Sequence, residues 1–92
     1  MTTASIIKEL ESKIERQERD CKAAHDAARY AWDEWRHAID NHYCANDIEN
    51  LNYNRLHLKA AWNYEQGLLD GLRLALAGIK VRQIEERNGK RK

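Results

Sequence analysis

Residues 7–42 read IKELESKIERQERDCKAAHDAARYAWDEWRHAIDNH, and their spacing decides the fold. Ile7, Leu10, Ile14, Gln17, Cys21, Ala24, Ala28, Ala31, Trp35, Ala38 and His42 recur at alternating intervals of three and four. That period puts them on one stripe of a helix packed lengthwise against another helix. The chain has no Pro, and no Gly precedes Gly67, so no helix breaker interrupts the run. One continuous helix is expected over residues 4–42, a rod of about 55 Å at 1.5 Å per residue.

The stripe is graded. Ile7, Leu10 and Ile14 are large and aliphatic, Ala24 to Ala31 are small, and the end carries Trp35 and His42. A small middle calls for a close neighbour with bulky side chains. The second half of the chain supplies one. Ile48, Leu51, Arg55, Leu58, Trp62, Glu65, Leu69, Leu72, Leu76, Ile79 and Gln83 repeat the same interval. Folding the chain back at residues 43–46 pairs positions whose numbers sum to about 90. Trp35 then faces Arg55, Ala31 faces Leu58, Ala28 and Ala24 face Trp62 and Glu65, and the aliphatic residues of the two ends meet.

The expected fold is therefore all-α: a long antiparallel helical hairpin, coiled-coil-like, assembling into a dimeric helix bundle. Residues 1–92 form a single domain, with helix one over 4–42, a turn over 43–46, helix two over 47–88 and a basic tail at 89–92. Thr3 or Ser5 is placed to cap helix one, and Asn46 to cap helix two with Asp47 and Glu49 following. Gly89 after Asn88 makes a stop. A three-helix arrangement with a break at Gly67 or Gly71 is the competing architecture.

Composition agrees with solvated helices. Charged residues are 34% and AVILMFWYC 42% of 92 residues, without Phe. Lys and Arg number 16 against 15 Asp and Glu, so attraction to a polyanion would have to come from local clusters. The two cysteines, 23 positions apart, are too distant for a bridge if they share one helix or its immediate end. They read as reduced thiols in a cytoplasmic setting. The first residues lack the basic and apolar regions of a secretion signal. Leu68 to Val81 is interrupted by Asp70, Arg73 and Lys80, so no membrane span is expected.

Catalytic chemistry has little to rest on. His37 and His42 are five apart and do not share a face as a metal pair would, and His42 with Cys44 and Asp40 is a thin ligand set. No Gly-rich loop precedes a helix, and no nucleophile–base arrangement is proposed by order or context. No enzyme activity, cofactor or metal is expected.

Three surfaces exceed what a hairpin needs. Leu74, Ala77, Val81 and Ile84 form an apolar stripe off the seam, with Gly67, Gly71 and Gly78 beside it. Each interior Gly costs roughly 1 kcal/mol relative to Ala, so close approach of another helix is the natural reason for three, and a homodimer interface is expected there. Tyr30, Trp32, Arg36, Tyr53 and Tyr64 lie in the turn half, and Tyr, Trp and Arg are the residues of interface hot spots. They are the expected contact with another protein. Lys80, Arg82, Arg87, Lys90, Arg91 and Lys92 gather at the other end, where nucleic acid is conceivable. The chain's isoelectric point of about 7.8 speaks against a dedicated binder.

The sum is a small non-enzymatic interaction protein acting sterically on a larger partner, an adaptor or an inhibitor, a class that includes phage-encoded inhibitors of host machinery. The alternatives are a nucleic-acid-associated helical protein and a purely structural homo-oligomer.

Overall fold

A computed structural model describes residues 2–90 of the chain, and they form two helices. Helix α1 spans Thr3–Asp40 (38 residues) and α2 spans Ala45–Lys90 (46 residues), packed against each other along their length. The result is an antiparallel hairpin of 73 × 17 × 16 Å. Helix α2 runs through Gly67 and Gly71 without interruption, which removes the three-helix alternative.

The buried residues are Ile14, Cys21, Ala31, Ala38 and Leu69. All lie on the two expected stripes. Of the α1 stripe only His42 is exposed, and every member of the α2 stripe is at least partly buried. Ile14, Cys21 and Leu69 form a cluster on which Leu72 and Leu76 pack. Arg55 reaches Trp35, as the expected register requires. Gln17 crosses the seam, donating from Nε2 to the main-chain oxygen of Glu65 at 3.1 Å and also to the Glu65 carboxylate. A polar pair within a largely apolar seam is satisfied in one register only, so it helps to fix the alignment.

Helix ends depart from the expectation, each for a local reason. The cap of α1 is Thr2, whose extended backbone (φ −86°, ψ 157°) lets Oγ1 accept from the Ser5 N–H at 3.1 Å. Thr3 and Ser5, the expected caps, lie inside the helix. At its other end α1 stops at Asp40 and not at residue 42, because His42 adopts φ 55°. That left-handed residue lets its own N–H reach the Ile39 oxygen at 3.2 Å and the Tyr43 N–H reach the Ala38 oxygen at 3.0 Å. These two bonds are the Schellman arrangement, which closes the last carbonyls of a helix.

Helix α2 begins at Ala45, with the Ile48 N–H bonded to the Cys44 oxygen at 3.1 Å. Asn46, expected as the cap, is thus in the first turn. Gly89 does not stop α2: no glycine has a positive φ, so the left-handed cap that Gly supplies is not formed there. Cys21 is buried and Cys44 exposed, and both are free thiols. No helix among the described residues is long and apolar enough to cross a membrane.

Candidate functional site: an aromatic and cationic flank

Small residues at the seam set the geometry of the turn half. Ala31 and Ala38 are 2% and 0% exposed, so small side chains line the α1 side of the seam there and are fully covered. A methyl fills little of the space between two helices, so larger side chains of this half must cover the rest. Trp35 and Trp62 sit on the seam stripes and are partly buried, while Trp32, off the stripe, lies along the seam's edge. Trp32 is 41% exposed, and its ring sits 5.1 Å from that of Trp35 at an interplanar angle of 50°. Arg55 of α2 lays its guanidinium 4.4 Å from the Trp35 ring centre and 5.2 Å from that of Trp32. Both distances lie within cation–π range. Asn52 Oδ1 accepts from the same guanidinium at 2.8 and 3.2 Å, which holds the fork in place.

Two turns further from the loop, His25 meets Trp62 edge-on, with ring centres 4.9 Å apart at 67°. Between the two tryptophans the flank is concave, with a volume of about 200 Å³ lined by His25, Ala28, Arg29, Trp32, Arg55, Lys59 and Trp62. Among the described residues no carboxylate lies within 4 Å of Arg29, Arg55 or Lys59, although Asp26 and Asp33 are one turn from Arg29; His25 has Asp26 at 3.5 Å.

The five residues expected to contact a partner do not share one face. Helical geometry turns about 100° per residue, so Tyr30 and Trp32 project roughly 160° apart around α1. Trp32 lines the concavity, and Arg36, one turn on, is exposed and paired to Asp40 at 3.8 Å. Tyr30 is 67% exposed, with Glu34 one turn on along α1. The Glu34 carboxylate, as a hydrogen-bond acceptor first and then through its charge, raises the phenol above its ordinary pKa. Tyr53 (76% exposed) and Tyr64 (67%) are eleven residues apart and so share a face of α2. Theirs is the outer face that continues into Gly67, Gly71 and Gly78. Sequence reading also missed His25 and Lys59, and it noted Arg29 and Arg55 only as cations among the turn-half aromatics. Their signal lay in the register: flank positions of two helices come together only once the pairing is fixed.

The stripe of α2 is placed as a surface. Leu74, Val81 and Ile84 are 74%, 55% and 56% exposed, and Ala77 is exposed with them. A Cβ added at Gly67, Gly71 or Gly78 meets nothing within 4 Å. No contact inside the hairpin therefore requires glycine at these positions. Of the basic end, Lys80, Arg82 and Arg87 are exposed. Lys80 and Arg87 are seven apart and share a face, while Arg82 projects to the other side. The side chain of Lys90, with Arg91 and Lys92, lies outside the described residues. His42 and Cys44 are exposed, and no group of three His, Cys, Asp or Glu among the described residues is arranged to hold a metal ion. Comparisons of the chain with protein-family models, with curated proteins and with solved structures give no match in any of the three.

Proposed function

We propose that this protein is a non-enzymatic helical interaction module that pairs with a second copy and acts sterically on a larger protein partner, as an adaptor or inhibitor. The observation that carries the reading is unspent surface. A compact chain of 10.8 kDa exposes roughly 5,500 Å². The hairpin exposes 7345 Å². The excess, roughly 1,800 Å² on one chain, is about twice the ~800 Å² that each partner gives to a standard protein–protein interface. Part of it is apolar and contiguous, on the outer face of α2 around Leu74, Val81 and Ile84. Monomeric proteins rarely leave such a stripe in water. The three glycines beside it allow another backbone to come close. Pairing through this face leaves the Trp32 and Arg36 flank for the larger partner. Free thiols at Cys21 and Cys44 fit a cytoplasmic setting.

Light scattering tests the assembly. The wild-type chain should give about twice the mass of one chain, and Leu74→Glu with Val81→Glu should return it to one chain with its helical circular dichroism retained. An unchanged mass for the folded double variant refutes the assembly face.

A further inference from the structure

The concavity between Trp32 and Trp62 has a chemistry that the fold does not use. Its polar lining is almost wholly donors: Arg29, Arg55 and Lys59 are cations, and none of them has a carboxylate partner among the described residues. Its walls are indoles, held by packing against Arg55 and His25. Arg55 is fixed in turn by Asn52 and the two rings at its face. A preorganised fork beside flat apolar walls suits a ligand that is anionic and carries a planar or apolar side group.

Two kinds of macromolecule have that chemistry, and charge distinguishes them. Single-stranded nucleic acid needs a basic track along several phosphates. Over residues 25–62 the acids Asp26, Asp33, Glu34, Asp40, Asp47 and Glu49 outnumber the four Arg and Lys residues. A phosphate backbone running along this half of the rod would meet net negative charge on leaving the concavity. A short acidic segment would not, because its charge is confined to the cluster itself.

We infer that this flank is a docking site for a short acidic peptide segment of the partner protein, with an aromatic side chain of that segment between Trp32 and Trp62 and its flanking carboxylates on Arg29, Arg55 and Lys59. The inference rests on the interaction-module reading and names the chemistry of its partner.

All three tryptophans of the chain lie on or beside the site, so their emission reports occupancy directly. The probe is a blocked pentapeptide, Glu-Glu-Phe-Glu-Glu, titrated into the full chain at low salt. Saturable change in emission is expected. Lys59→Glu and Arg29→Glu should each weaken binding by about fivefold, the scale of one partly exposed charge pair. Both residues are solvent-exposed on α1 and α2, so helicity should be unchanged. Replacing Phe by Ala in the peptide should weaken it as well, and the Lys-Lys-Phe-Lys-Lys peptide should not bind.

No saturable change, or equal binding of the lysine peptide, overturns the proposal. So does tighter binding of oligothymidylate that Lys59→Glu weakens in the same way, since the site would then belong to nucleic acid. Titrating the Leu74→Glu/Val81→Glu variant keeps the two readings apart. Peptide binding retained there supports the flank whatever the outcome of the mass measurement. A wild-type chain that dimerises and binds no peptide overturns the flank and leaves the assembly standing.

Discussion

Between Ile14 and Leu76 the two helices meet through aliphatic side chains that fill the seam, whereas near Trp35 and Arg55 buried alanines line the α1 side and the aromatic and cationic groups are only partly covered. The first half, farther from the turn, holds Ile14, Cys21 and Leu69 buried under Leu72 and Leu76. The second, nearer the turn, buries Ala31 and Ala38 and leaves its aromatic rings partly in solvent. Both halves obey the same three-four period, so the period alone does not determine which will have a usable surface. Side-chain volume at the seam does. Large seam residues bury their own apolar area against each other. Small ones leave the neighbouring rings partly uncovered, and here a concavity forms beside them.

The comparison predicts unequal responses to truncation, and the largest belongs to the aliphatic half. Leu69 is 7% exposed at the centre of its cluster. Leu69→Ala should destabilise the hairpin by about 2–3 kcal/mol, the lower part of the range for buried leucines because a two-helix seam relaxes easily. For a chain of this size that is a fall of roughly 10 °C or more in Tm, read by circular dichroism. A loss below about 0.5 kcal/mol, the level of an ordinary surface substitution, would mean that the aliphatic half is not what holds the helices together.

Arg55 gives the corresponding test in the aromatic half. Arg55→Met keeps most of the stem that packs across the seam and removes the charge over two indoles and the bonds to Asn52. Exposed or partly exposed cation–π contacts contribute about 0.5–1 kcal/mol each at most, so a loss of about 1 kcal/mol is expected in urea unfolding. The tryptophan emission should shift in the folded state, since two of the three rings lose their cation. If Arg55→Met destabilised the chain as much as Leu69→Ala, the contrast between the halves would be wrong. The rim would then be as much a core as the seam.

How far the sequence could be read follows the same division. The seam was legible because burial in a hairpin recurs at the helical period, and the register followed from volume: Trp35 beside Arg55 is where it was expected. The partner face was legible as composition but not as geometry. Tyr30 and Trp32 are neighbours in sequence and far apart around the helix, while Arg29 and Lys59 are thirty residues apart and line one concavity. Flank positions combine two helices, and their meeting depends on an alignment that no single helix encodes. The helix ends were the least legible. Thr2, Thr3 and Ser5 offer equivalent hydroxyls for one cap, and periodicity carries no information about the φ that ended α1 at His42.

That φ permits the last and smallest test. His42 sits at 55° in the left-handed region, where a Cβ crowds the following carbonyl and Gly is the usual occupant. The closure nevertheless forms, with its two backbone bonds in place. The His42 side chain is exposed and adds no buried contact. His42→Gly relieves strain in the folded state and gives the unfolded chain more freedom, two effects of opposite sign. Gly in the left-handed region escapes a penalty of about 1–2 kcal/mol, and the entropic loss is of the order of 0.5–1 kcal/mol. A net gain of about 0.5 kcal/mol is expected from urea unfolding, with the turn and register unchanged. A clear loss would show that the imidazole itself holds the turn. The ends of the two helices would then be joined by a side chain rather than by backbone geometry, and the aromatic half would extend further toward the loop than its rings alone indicate.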